Sequence, residues 1–300
     1  MNLENFENIL ITGGRGNSAY FFLKKLEQKK FKKIISVLCR DKKKNKYFEQ
    51  FDLNFKIFNG DINDEKFLNS CFNNIDTILH TANMENSKII VDSAAKKVKW
   101  IILANSAMIY SKHLTPFIKN RIKLDKEISK NNSNITILRP TMVYGSLRDI
   151  NMSKLIKYLD RFKIFPIFGD GKNLIQPIFI EDLSNAYFKV IENKKITFNK
   201  SYDLGGKKPI KYIDALKFIE KKLNKKKIYL KIPIPLGIFL LKILKILSFG
   251  KIIVNASQIK RQDEDKIVNY DTAQKDFGFS PISFEDGISK QINEYNLGKN

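Results

Sequence analysis

Ile9-Leu10-Ile11-Thr12-Gly13-Gly14-Arg15-Gly16-Asn17-Ser18-Ala19 is the stretch that decides the fold. An apolar run breaks into glycines, then passes into Tyr20 to Leu26, where apolar residues return at helical spacing. The pattern predicts strand, glycine-rich turn, helix. Glycines let a backbone approach an anion, and a helix N-terminus offers free N–H groups and the positive end of a dipole. The turn is therefore a candidate phosphate site. A bare connection is the competing reading, and the strand before it and the helix after it favour the ligand.

Working outward, the first half alternates between strand and helix patterns. Apolar runs at Ile34–Leu38, Phe55–Phe58, Ile75–His80, Trp100–Leu103 and Ile135–Leu138 read as strands buried on both faces. Helix-length segments at Asp64–Phe72, Asn86–Lys97 and Pro116–Lys130 separate them. This alternation predicts an α/β fold, a doubly wound parallel sheet with helices on both sides and the glycine turn at its C-terminal edge. After Pro140 the rhythm changes. Helices are expected at Asn151–Phe162, Glu181–Glu192 and Pro209–Leu223, with a strand at Ser201–Leu204. The expected division is a sheet domain over residues 1–165, to which 177–204 return, and a smaller, mostly helical cap over 166–300.

The formal net charge is +23, with 54 Lys and Arg against 31 Asp and Glu. The lysines are spread along the chain rather than gathered into a tail, and no short nucleic-acid signature accompanies them, so no nucleic-acid partner is expected. Cys39 and Cys71 are too few and too far apart for a disulfide framework or a metal site. Met1 to Asn8 does not read as a secretory leader. Together these features predict a cytoplasmic protein without a metal. Leu236–Phe249 stands apart: it is almost wholly apolar, broken by Lys242 and Lys245, and too short and charged to span a bilayer. It reads either as a helix packed in the cap or as a peripheral contact with a membrane surface.

Several motifs then fall in order, and with them the chain resembles a known family. Thr12 to Ala19 resembles the T-G-x-x-G-x-x-G loop of the extended short-chain dehydrogenases/reductases, the group of NAD-dependent epimerases and dehydratases that act on nucleotide sugars. Only the last glycine differs, being Ala19. Gly60-Asp61-Ile62 resembles the family's G-D-[LI] step, and His80-Thr81-Ala82-Asn83 its H-x-A-A. Asn105 to Tyr110 resembles S-S-x-x-V-Y, and Leu138-Arg139-Pro140-Thr141-Met142-Val143-Tyr144-Gly145 resembles L-R-P-x-x-V-Y-G. Gly169-Asp170-Gly171 with Gln176 to Leu183 resembles G-D-G and H-V-x-D-[LV], and Phe277 to Pro281 resembles the G-[FY]-x-P near the family's C-terminus.

The resemblance implies a Rossmann domain with a C-terminal substrate cap, a nicotinamide dinucleotide as cofactor, and a sugar or nucleotide sugar as substrate. It implies cofactor contacts from Thr12, Gly13, Gly14, Arg15, Gly16, Asn17, Arg40, Asp61, Ile62, His80, Thr81, Ala82 and Pro140. After the second strand an acidic residue would accept from the ribose, whereas an arginine would pair with a 2′-phosphate. Arg40 and Arg15 therefore favour NADP, and Asp41 favours NAD. The family's reaction centre is a Ser/Thr with Tyr-x-x-x-Lys, and this chain has no intact copy. In one register Tyr110 is the tyrosine, Ser106 orients the substrate hydroxyl, and Leu114 stands where lysine would. In the other, Phe117 and Arg121 occupy the tyrosine and lysine positions. Leu174-Ile175-Gln176-Pro177 lacks the arginine that grips substrate phosphates in many relatives, and its Q-P form also resembles the NADPH-holding structural subunit of respiratory complex I. Two functions follow: hydride transfer on a sugar with Tyr110 and Ser106 catalytic, or a catalytically impaired protein that holds NAD(P)H.

Overall fold

A computed structural model of the chain describes residues 6, 8–94, 97–130, 134–247 and 256–298. The elements run β1 (Ile9–Thr12), α1 (Asn17–Gln28), β2 (Ile35–Cys39), β3 (Phe55–Asn59), α2 (Glu65–Cys71), β4 (Thr77–His80), α3 (Ser87–Ala94), β5 (Trp100–Ala104), α4 (Pro116–Lys130) and β6 (Ile135–Pro140). They continue with β7 (Val143–Tyr144), α5 (Met152–Arg161), β8 (Ile164–Phe168), β9 (Leu174–Ile175), β10 (Ile178–Phe179), α6 (Ile180–Glu192), α7 (Lys194–Thr197), β11 (Ser201–Leu204) and β12 (Ile210–Lys211). The chain closes with α8 (Tyr212–Lys222), β13 (Ile228–Ile232), α9 (Ile234–Leu247), α10 (Ala256–Lys260), α11 (Asp271–Phe277) and α12 (Phe284–Leu297).

The main sheet has seven strands in the order β11-β6-β5-β4-β1-β2-β3, all parallel. The order reverses beside β1, so a crevice opens between the C-terminal ends of β1 and β4, where ligands bind in doubly wound sheets. The pleat sorts alternate side chains onto two cores. Ile9, Ile11, Trp100 and Ile102 face α1, α6 and α11, whereas Leu10, Ile101 and Leu103 face α2, α3 and α4. The expected α/β class holds in full. One detail differs: β3 is an edge strand, and Phe55 and Ile57 are only half-buried, so this run is not buried on both faces.

A third core gathers Tyr144, Met152, Ile156, Leu159, Ile167, Leu216, Ile219 and Ile288. It packs α5 with α8 and α12. The C-terminal part is mainly helical but also holds two small ribbons, β8 with β13 and β9 with β12. The chain returns from it to the main sheet twice: β11 pairs with β6, and Ala273 and Phe277 of α11 enter the first core. Among the described residues no helix is long and apolar enough to cross a membrane. The apolar segment at Leu236–Phe249 is helical through Leu247, and Ser248 and Phe249 lie outside the described residues.

Candidate active site

The glycine turn sits at the C-terminal end of β1, in that crevice. Gly13 has φ +72°, a left-handed conformation that glycine takes without strain. Its Cα also faces the next strand: a Cβ there would stand 2.6 Å from the Ala82 nitrogen and 2.8 Å from the Thr81 carbonyl carbon. The Gly16 N–H donates to the Gly13 carbonyl at 2.7 Å, which closes the turn. Gly16 is then the N-cap of α1 and brings no side-chain oxygen to the first turn, which also lacks acidic residues. The helix end is left positive and uncapped, which suits a phosphate oxygen. The residues present therefore fit a dinucleotide pyrophosphate.

Three side chains brace the turn against β4. Thr81 Oγ1 donates to the Thr12 carbonyl at 2.9 Å, and Thr12 Oγ1 lies 2.7 Å from His80 Nδ1. His80 Nε2 is 3.2 Å from the Asn83 carbonyl. A carbonyl can only accept, so the Nε2–H tautomer is assigned and Nδ1 accepts from Thr12. Full burial pushes the His80 pKa down to about 4. The ring is neutral and structural.

At the ends of β2 and β3, Arg40 and Asp61 are exposed and 3.9 Å apart. The Asp61 carboxylate accepts from the Asn63 backbone N–H at 2.9 Å, the main reason its pKa lies below the usual range. Ile62 is buried beneath it. Asp41 caps the turn over Lys42–Gln50 by accepting from Lys43 N–H at 3.0 Å. Arg15 lies over the Tyr47 ring at 5.6 Å. Arg148, to which no spacing argument had pointed, donates to the Arg15 carbonyl and to Tyr47 Oη, both at 3.0 Å. Ser146 donates to Asn17 Oδ1 at 3.0 Å, so the segment after β7 is tied to both ends of the glycine loop.

The same sheet edge carries the catalytic candidates. Pro140 ends β6, and Ser106 caps the turn over Ala107–Tyr110 by accepting from Met108 N–H at 3.2 Å. Tyr110 turns its hydroxyl inward to Asp203 of β11, 2.9 Å from each carboxylate oxygen, while half of its surface faces solvent. Burial of the hydroxyl, then the Asp203 charge, pushes the tyrosine up to about 12. Burial also raises the Asp203 pKa. The Ser106 and Tyr110 hydroxyls thus have separate partners. Phe117 and Arg121 stack on α4, the guanidinium 4.4 Å from the ring centroid, and Arg121 Nε donates to Glu85 at 3.0 Å. Leu114 is exposed.

One assembly was missed by sequence reasoning. Residues 261–266 lie on the Tyr110–His113 loop. Glu264 is 4% exposed and accepts from Ser111 Oγ at 2.8 Å, Lys112 N–H at 3.0 Å and Arg261 Nε at 2.8 Å. Burial alone would raise its pKa, but the hydrogen bonds from Arg261 and Ser111 bring it below the ordinary value. His113 Nε2 lies 3.1 Å from Asp263 Oδ1. The dense run Arg261-Gln262-Asp263-Glu264-Asp265-Lys266 was the available signal. Among the described residues no cluster of His, Cys, Asp and Glu could hold a metal ion.

No protein-family model matches the chain. It is similar to a UDP-glucuronate 4-epimerase of Thermodesulfobacterium geofontis, with 24% identity over 214 residues, 58% of this chain and 65% of that protein. The chain thus spans just under two thirds of the length of this curated relative. Its fold is similar to that of a Thermotoga maritima UDP-glucose 4-epimerase crystallised with UDP-glucose, at TM-score 0.75 and 16% identity, covering 98% of this chain and 100% of that one. It is also similar to a Bacillus cereus UDP-glucuronic acid 4-epimerase in complex with NAD, at TM-score 0.73 and 18% identity, covering 97% and 99% of the two chains. A Bacillus anthracis dTDP-glucose 4,6-dehydratase in complex with NAD matches at TM-score 0.74 and 15% identity, covering 98% and 97%. The resemblance read from the motifs is borne out, and the fold is that of the NAD-dependent epimerases and dehydratases.

Proposed function

We propose that this chain is an NAD(P)-dependent enzyme that acts on a sugar or nucleotide sugar by hydride transfer, in a reducing cytoplasm where Cys39 and Cys71 stay free. The observation that carries the reading is Gly13, whose bare Cα against Thr81 and Ala82 leaves the α1 N-terminus open at the sheet's switch point. Gly14, Gly16 and Asn17 complete the phosphate loop, and Ile62, His80 and Pro140 shape its surroundings. A bound nicotinamide dinucleotide would supply the hydride acceptor. Arg40 is free enough of Asp61 to meet a 2′-phosphate, and Asp41 is engaged as a cap, which together favour NADP. Tyr110 is the proposed acid/base, with Ser106 orienting the sugar hydroxyl. Fluorescence titration with NADPH and NADH tests the first half. Binding with a preference for NADPH, lost in Gly13→Val, is expected; no binding of either would sink the proposal, and a preference for NADH would sink the NADP choice. For the second half, Tyr110→Phe should abolish turnover and keep cofactor affinity, and unchanged turnover would reject Tyr110.

A second reading has a specific observation in its favour. A tyrosine raised to about 12 and donating to a carboxylate is a poor proton acceptor, and neither Phe117 nor Arg121 can replace it. On that reading the chain holds NAD(P)H without chemistry. Stoichiometric cofactor retention with no turnover across a panel of UDP- and dTDP-sugars would select it.

A further inference from the structure

We propose that the cap carries a docking surface for an anionic lipid membrane, formed by the outward face of α9 and the adjoining outer face of the β8–β13 ribbon. The surface is separate from the dinucleotide crevice and does not depend on the reading given for it. On α9, Leu236, Phe239, Leu240 and Ile243 are 47%, 58%, 39% and 37% exposed. Their spacing puts them on one face of the helix. The opposite face is the packed one: Leu241 is buried, and a Cβ on Gly237 would stand 2.5 Å from the Phe168 ring. This helix therefore has an apolar face in the protein and a second apolar face in solvent.

The ribbon repeats the pattern. Phe165 and Ile167 point into the third core, so alternation puts Ile164, Pro166 and Phe168 on the outer face. The parallel register sets Ile228 beside Ile164 and Leu230 beside Pro166, and Ile164, Ile228 and Leu230 are all more than half exposed. The packed face of α9 thus covers the Phe168 end of the ribbon's outer face, and Ile164, Ile228 and Leu230 stay open beside the helix. Scattered apolar residues on a surface need no explanation, but an adjoining set of this kind marks a contact.

Charge decides the partner. Residues 221–247 contain eight lysines and no aspartate or glutamate. Lys225, Lys226 and Lys242 are exposed on or beside the two elements, as is Lys163 next to Ile164. A second copy would bring two lysine rims together. An anionic headgroup layer over an acyl interior matches both the rim and the apolar stripe. With 14 residues, α9 is about 21 Å long, short of a hydrocarbon core of about 30 Å, so it would lie in the interface and not cross it.

Flotation of the full chain with liposomes tests this. Low-salt binding is expected to vesicles with about a third phosphatidylglycerol, and little to pure phosphatidylcholine. Phe239→Asp with Leu240→Asp, and separately Lys225→Glu with Lys226→Glu, should each weaken partitioning at least about tenfold. Unchanged circular dichroism and thermal unfolding would show that the variants are folded. Absence of binding to the anionic vesicles would overturn the proposal, as would full binding by the folded Phe239/Leu240 variant. Light scattering that shows a dimer abolished by the same variant would assign the face to a second copy instead.

Discussion

His80 is the residue at which the phosphate turn and the stability of the fold meet. It holds Thr12 at the end of β1 and the Asn83 carbonyl after β4, and it is wholly buried. Its pKa falls from 6.5 to about 4, so the unfolded chain binds this proton more tightly than the folded one. The stability it contributes is therefore complete above pH 6.5 and is lost as the pH falls towards 4. The loss for this one group approaches ~3 kcal/mol. Asp182 has the opposite sign: burial raises it to about 6, so acidification relieves its buried charge. The two overlap in the wild-type profile. Urea unfolding of wild type and His80→Asn at each pH separates them, and the stability advantage of wild type should shrink by ~3 kcal/mol between pH 7 and 4. An advantage that stays constant would mean that the ring titrates alike folded and unfolded. The turn itself was legible in the sequence, because the left-handed glycine and the helix start lie within a few positions of one another. Its braces were not local: His80, Thr81 and the Ala82 backbone that faces Gly13 come from the end of β4.

Between elements, a buried polar join runs from α4 to β6. Arg139 donates to Asp125 through Nη2 at 2.7 Å and Nε at 3.0 Å, and Asn105 at the end of β5 donates to the same carboxylate at 2.8 Å. Arg139 and Asp125 are 8% and 5% exposed. Removing one partner of such a pair leaves a buried charge uncompensated. Arg139→Met should therefore cost about 3–5 kcal/mol in urea unfolding, and Arg139→Met with Asp125→Leu should recover much of that. A single-variant cost below about 1 kcal/mol would show that solvent reaches Asp125. This join explains part of what the sequence left open. The L-R-P motif announced Arg139, but its partner lies 14 residues back on another element and has no periodic signal. Tyr110 with Asp203, and Ser111 with Glu264, are 93 and 153 residues apart. The strands and helices were legible because apolar period is written along one segment. These pairs depend on which strand ends and loops meet over the sheet edge, and no single segment records that.

Across the whole molecule the governing quantity is charge. The excess is 54 cations over 31 anions, or +23. Many described ion pairs join exposed side chains, several of them at helical spacing such as Lys88 with Asp92 and Lys123 with Glu127. Each such pair contributes about 0–1 kcal/mol, too little to offset repulsion among the lysines left over. Packing of the three cores has to hold the chain together against that repulsion. Screening should therefore stabilise the fold. The Debye length shortens from about 30 Å at 0.01 M salt to about 10 Å at 0.1 M, which spans the separations between neighbouring surface lysines. We expect the Tm to rise by about 3–6 °C between about 0.01 and 0.2 M sodium chloride, measured by thermal unfolding without ligand. Replacing Lys225 and Lys226 by glutamate lowers the net charge by four, and should both raise the low-salt Tm and flatten the salt response. A Tm that is flat or falls with salt would show that the lysines are already balanced by the acidic residues. The cap's lysine rim would then be a local feature and not part of a molecule-wide excess.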